Sequence, residues 1–195
     1  MSDAGDAAGI VAPPALPVQL FIWLSPSFPV GAYAYSHGLE SAVASGALRS
    51  EADLEDWLGV LIGHGSIGND LALLSVAYQA TAAHDWPGLA DTAALALALQ
   101  PSAERHLETA QQGASFMAAI MAAWRTEAID AAHAVALRAS PDRREIPYPV
   151  AVAIAPTEHA MPLGATLHAY AIAVVANLVS AAIRLCVLGQ TAGQK

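Results

Sequence analysis

The sequence predicts an all-α domain. Helix-start and helix-stop signals recur along the chain, and no segment sustains a period-two alternation of apolar and polar residues. Hydrophobic residues make up 55% of 195 residues and charged residues 13%, enough apolar material for a substantial core. A single helical bundle of about eight to ten helices over residues 18–195 is therefore expected. Ahead of it, Met1 to Pro17 is rich in Ala and Pro, carries Asp3 and Asp6, and has no basic residue. It lacks the positive start of a secretory signal and reads as a disordered tail.

Each element rests on local signals. Leu16 to Leu24 is a short apolar segment closed by Ser25-Pro26. Gly31 to Ser45 reads as a helix stopped by Gly46. Ser50-Glu51-Ala52-Asp53 is a cap followed by acidic first-turn residues. Behind it Leu54, Trp57, Leu58, Leu61 and Ile62 share one helical face. Gly63 to Gly68 breaks the pattern, and Asn69 is expected to cap a second helix running to about His84. Trp86-Pro87-Gly88 reads as a turn, and Leu89 to Gln100 as an Ala/Leu helix ended by Pro101. Ser102 caps the next helix, which extends to about Trp124. Thr126 to Ala139 is helical with weaker amphipathicity, and Ser140 to Pro149 is a charged, Pro-rich loop. Val150 to Ile154 is the best strand candidate in the chain and stands alone. Pro162 opens a last long helix ending near Leu188-Gly189. Its Ala-rich run, Ala165 to Ala182, is expected to be a buried core helix rather than a membrane span.

Composition excludes several functions. The net charge of −9 disfavours a nucleic-acid partner. The only lysine is Lys195, so neither a P-loop nor a Schiff-base site can be built. One cysteine, Cys186, rules out an intrachain disulfide or a cysteine-cluster zinc site and suits a reduced, cytoplasmic setting. It is expected to be a small buried hydrophobe. The low charged fraction hints that a partner or a second copy covers part of the apolar surface.

Three motifs have chemical readings. Gly63-His64-Gly65-Ser66-Ile67-Gly68 matches G-x-G-x-x-G, yet the segment before it is helical in period. A helix–helix turn or close packing point fits better than a dinucleotide site. The seven histidines form neither H-E-x-x-H nor any i, i+4 pair, and none is assigned to a metal. Tyr33, Tyr35 and His37 cannot all share one helical face, so at least one of them faces outward beside the Pro29-Val30-Gly31 turn.

The segment Ser25 to Val43 concentrates two prolines, two glycines, two tyrosines, His37 and Glu40 at one helix entrance. It closely resembles the N-terminal signature of the UreF family of urease accessory proteins. Gln111-Gln112-Gly113-Ala114-Ser115-Phe116, following Glu104-Arg105, resembles the family's middle element. Ala169-Tyr170, the run Val179 to Leu185, and Leu188-Gly189-Gln190-Thr191-Ala192-Gly193-Gln194 resemble its C-terminal block. The three elements keep the family's order and span most of the chain.

The resemblance implies an all-α fold, commonly homodimeric, with no cofactor and no enzyme activity of its own. It implies binding to a UreD-type protein (UreH in some organisms) and, through that complex, to a UreG-type GTPase. Such an assembly delivers nickel to apo-urease, and the UreF-type member modulates the GTPase. Carried onto this chain, Pro29, Gly31, Tyr33, Ser36, Gly38 and Glu40 form one partner-facing patch, and Arg184, Gly189 and Gln190 a second. His168 and Tyr170 are expected at a dimer contact. Two departures stand out. Family members continue past the Gly189–Gln194 block with another helix and a tail, whereas this chain stops at Lys195. Pro156 lies in Val150–His159, where relatives tend to read as a smoother Ala-rich helix, so that helix is expected to be broken or shortened. Two alternatives stay open: an unrecognised enzyme using the Gly63–Gly68 loop, and a membrane-associated helical protein.

Overall fold

The computed structural model describes residues 17–195, so the expected tail, 1–17, lies outside the described residues except for Pro17. Among the described residues there are nine α-helices, three short 3-10 turns and no strand. The helices are α1 (Val18–Trp23), α2 (Leu39–Ala44), α3 (Glu51–His64), α4 (Ser66–Ala82), α5 (Trp86–Ala98), α6 (Ala103–Ala123), α7 (Glu127–Ala136), α8 (Tyr148–Glu158) and α9 (Leu163–Arg184). The all-α class and the expected number of helices hold.

Helix α8 is the axis of the fold. Every side chain from Tyr148 to Pro156 is buried, and α4 and α6 pack along it, with α5, α7 and α9 completing the surround. The strand candidate Val150–Ile154 is therefore a helix, as the all-α class requires. A short run that is apolar on all sides signals burial on all sides, and periodicity alone cannot separate a buried helix from a buried strand. Pro156 does not break α8, which runs two residues further to Glu158. The proline sits in the last turn of a helix of 11 residues.

Ser50, Ser102 and Thr126 cap α3, α6 and α7, each accepting a hydrogen bond from the backbone N–H three residues on. These are the side-chain caps that sequence signals locate best. Other boundaries moved. Asn69 lies within the first turn of α4, because the chain re-enters helix directly after Gly65. Trp86-Pro87-Gly88 is the first turn of α5, where Asp85 accepts from the Gly88 N–H at 3.0 Å and proline suits the position. Helix α7 is clearly amphipathic, burying Ile129, Ala132, Val135 and Ala136. Helix α9 ends at Arg184, earlier than expected, and buries only Thr166, Tyr170, Leu178, Ala181 and Ala182. The fully buried helix is α8; α9 is a surface helix. Cys186 is exposed just past its end, with φ of 60°, rather than buried.

The core has two parts. The larger contains an aromatic series in which Trp23 packs on Trp124, Phe28 on Phe116, Phe116 on Tyr148 and Tyr148 on Tyr170, with ring centroids 5.4–5.9 Å apart. The smaller joins Leu39, Leu48, Leu54, Ile67 and Leu178, fixing α2 and α3 to the C-terminal half of α9. Leu71 and Val174 touch both parts. Gly113 lets α6 lie against the 146–147 backbone: a Cβ there would stand 1.9 Å from the Ile146 carbonyl oxygen.

Gly65 and Gly68 form the bend between α3 and α4. A Cβ at Gly68 would stand 2.4 Å from the Ile62 carbonyl oxygen. The residues before the motif are helical, so the strand that a dinucleotide fold requires is replaced by α3. Two helical stretches, Glu51–Ala82 and Leu163–Arg184, are long and apolar enough to cross a bilayer. The first is bent at Gly65. The second lays one face on the core and uses Asn177 to hold a neighbouring turn.

Candidate functional site

The segment from Phe28 to Gly38 is not the start of one long helix. Gly31, with φ of 74°, turns the chain into a 3-10 turn at Ala32–Ala34. His37 and Gly38 then take φ of 50° and 85°, and only at Leu39 does α2 begin. Consecutive left-handed residues cannot continue a right-handed helix. Glycine occupies that region freely, while a side chain there costs about 1–2 kcal/mol, so surrounding contacts must hold His37.

Those contacts come from α9 and α6. Asn177 donates to the carbonyls of Ala32 at 2.9 Å and Tyr35 at 3.1 Å. Two turns further on, Arg184 donates to the Tyr33 carbonyl at 3.1 Å and places its guanidinium 3.9 Å from the Tyr33 ring centroid. From α6, Gln111 accepts from the Tyr35 hydroxyl at 2.6 Å. The His37 Nε2 lies 3.0 Å from Glu108 Oε1 and 2.8 Å from Arg105 Nη1. Arg105 also pairs with Glu108, and Gln112 donates to Glu108 at 3.0 Å. Burial alone would push Glu108 up, but the His37 hydrogen bond and the Arg105 charge outweigh it and hold its carboxyl below the usual range.

This scaffold presents a surface. Pro29, Gly31, Gly38 and Glu40 are exposed, and Ser36 is half-buried. Tyr33 is 69% exposed, so it is the outward residue of the Tyr33, Tyr35, His37 set. Arg184 is exposed and touches Tyr33, joining the second expected patch to the first. Gly189 and Gln190 are exposed past the end of α9. His168 and Tyr170 part company. His168 is exposed on α9, while Tyr170 is 1% exposed and donates to Asp70 Oδ2 at 3.0 Å. The Tyr170 side chain is therefore a core group and offers no contact to a second copy. Their spacing of two residues places them on different faces of the helix.

Below the surface lies a cavity of about 160 Å³, with Gly31 and Tyr33 at its mouth and Asp70, Tyr148 and Tyr170 in its floor. Burial pushes Asp70 up to about 6 and lifts both tyrosine hydroxyls. A wider surface groove beside it is lined by Tyr35, Ser36, Gly38 and Glu40. His37, Arg105 and Glu108 wall off one from the other. Among the described residues no group of three His, Cys, Asp or Glu side chains is placed to hold a metal ion.

The family model described as UreF matches residues 48–195. This chain belongs to the UreF family. It is 49% identical to the urease accessory protein UreF of Xanthobacter autotrophicus, over 98% of this chain and 78% of that protein. The UreF of Azorhizobium caulinodans is 50% identical, over 94% of this chain and 76% of its own length. That of a Rhodopseudomonas palustris strain is 46% identical, over 91% and 72%. The UreF signature at Ser25–Val43 lies outside the matched 48–195 span but inside the alignment that covers 98% of the chain.

Sequence reasoning missed Asp70, Asn177 and the pairing of His37 with Glu108. The only charged side chain in α4 was the available signal for Asp70, and a polar interruption of the Ala165–Ala182 run the signal for Asn177. The third joins residues 71 positions apart, which no local pattern reports.

Proposed function

We propose that the chain is a non-enzymatic accessory protein for urease, a scaffold in a complex of UreD-, UreF- and UreG-type proteins. In that reading it supports delivery of nickel, the cargo, to apo-urease and modulates the partner GTPase in the cytoplasm. The observation that carries it is the outward Tyr33 with Arg184 stacked on it, held on a turn fixed by Asn177 and α6. A rigid aromatic–arginine pair on a braced turn is what a protein-binding anchor requires. The relatives' own designation, urease accessory protein UreF, supports the same role. Pro29, Gly31, Ser36, Gly38 and Glu40 surround the anchor, and Gly189 and Gln190 extend the interface. A homodimer through α9 also belongs to this reading, with exposed His168 and the 68% exposed Ile172 one turn apart on the same face.

Co-elution on size exclusion with the UreD-type and UreG-type proteins tests the reading. The intact chain is expected to join both, and a Tyr33→Ala/Arg184→Ala double variant to elute alone while keeping its circular dichroism spectrum. If the double variant still joins the complex, the anchor is misplaced; if the intact chain joins neither protein, the scaffold role fails.

A further inference from the structure

The cavity beneath the Tyr33 turn has an unbalanced interior. Glu108 is matched by Arg105 and His37, and Gln112 adds a donor. Asp70, 8% exposed, forms no ion pair among the described residues. Its Oδ2 accepts from Tyr170. Its Oδ1 accepts no side-chain hydrogen bond among the described residues. His37, which also lines the cavity, has a buried Nδ1 with no partner. A single water needs roughly 10–15 Å³, so a space of about 160 Å³ holds considerably more than one. Buried carboxylates without a cation are costly, and this one faces open space.

We propose that this cavity receives the head of a small organic cation, an alkylammonium or guanidinium group, on the Asp70 carboxylate. The chemistry of the lining selects that class. Phe28, Val30 and Val174 on the wall suit an alkyl stem. A hard inorganic cation needs several oxygen ligands, whereas an ammonium head needs acceptors within hydrogen-bond reach, and Asp70 Oδ1 is one. The mouth at Gly31 and Tyr33 is open to solvent, so the stem can belong to a free amine or to a lysine or arginine side chain of a docked protein. Only the second source rests on the proposed scaffold role.

Calorimetric titration of the whole chain with n-butylammonium chloride, and separately with neutral 1-butanol, tests the site at pH 7.5 and pH 5. Butylammonium should saturate the chain at pH 7.5 and bind about tenfold more tightly than 1-butanol. The groups facing Asp70 are Tyr170 on α9, Tyr148 on α8, Arg105 and Glu108 on α6, and His37. With Asp70 titrating at about 6, binding should weaken by about tenfold at pH 5. Asp70→Asn, which keeps the partner of Tyr170, should remove the preference for the cation. Ala176→Leu, at an exposed position lining the cavity, should weaken both probes and needs no change in the buried cluster. No saturation by butylammonium, equal binding of butanol, or an unaltered preference in Asp70→Asn overturns the proposal.

A second arm separates the sources. If the UreD-type complex forms and butylammonium releases the partner, a protein side chain occupies the site; if the complex survives saturating butylammonium, a free amine does. Failure of the complex to form overturns the scaffold role and leaves the titration to decide the site.

Discussion

Arg184 holds Tyr33 twice, through a hydrogen bond to its carbonyl and through a guanidinium stacked on its ring. Arg184 is exposed, and a cation–π contact at an exposed site contributes about 0.5–1 kcal/mol. Arg184→Ala should therefore lower the melting temperature by only a few degrees while abolishing co-elution with the UreD-type protein. Arg184→Lys keeps the charge without the planar fork and should recover binding only in part. A large fall in melting temperature would instead make Arg184 a core group.

Asn177→Ala should loosen the same turn from the other side. The Tyr35 carbonyl loses its donor in a half-buried setting and the Ala32 carbonyl keeps only the Tyr35 N–H, at a cost of about 1–3 kcal/mol. Amide hydrogen exchange should accelerate at residues 32–38 and stay unchanged in α8. Uniform acceleration across the chain would show that Asn177 supports global stability rather than the turn.

Gly113→Ala should be among the most damaging small substitutions. Alanine favours helix over glycine by about 1 kcal/mol, yet its Cβ would meet the Ile146 carbonyl oxygen at 1.9 Å. Helix α6 must then move off the 146–147 backbone, at a net cost of about 3 kcal/mol or more. Denaturant unfolding measures it, and a midpoint equal to that of the parent chain would show that α6 shifts freely.

Asp70 makes stability depend on pH with an unusual sign. Burial raises it from 3.8 to about 6, so the folded chain binds more protons than the unfolded chain between those values. Its contribution to stability falls as pH rises through that window and is fully unfavourable above it. Asp70→Asn should stabilise the chain at pH 7.5 by on the order of 2–3 kcal/mol, with most of the gain gone by pH 4. A gain that does not change between pH 4 and pH 7.5 would locate the effect elsewhere.

The helices behind Ser50 and Ser102 were legible because their caps are local signals. The interior was not. Val150–Ile154 carries no period at all when every face is buried, so neither helix nor strand could be chosen from it. The segment Gly31–Ser45 misled in the opposite way. Its composition allows one helix, but Gly31, His37 and Gly38 spend their left-handed geometry on a turn that α6 and α9 brace. Of the site residues, the pattern showed that one of Tyr33, Tyr35 and His37 faces outward, but not which, and Arg184 entered through the family resemblance. Tyr170 looked like surface because its partner Asp70 lies 100 positions away.

The centrality of α8 also dictates an order of assembly during synthesis. Helices α4 and α6 bury their apolar faces against a segment that leaves the ribosome only after both of them. Until residues 148–158 emerge, a nascent chain of seven helices surrounds an empty axis, with Leu74, Phe116 and Ile120 wet. Loose local helices come first, and the tertiary structure closes in one late step when the spindle arrives. A ribosome stalled near residue 147 would therefore hold a protease-sensitive chain, and one stalled after α8 has cleared the exit tunnel would hold a resistant one.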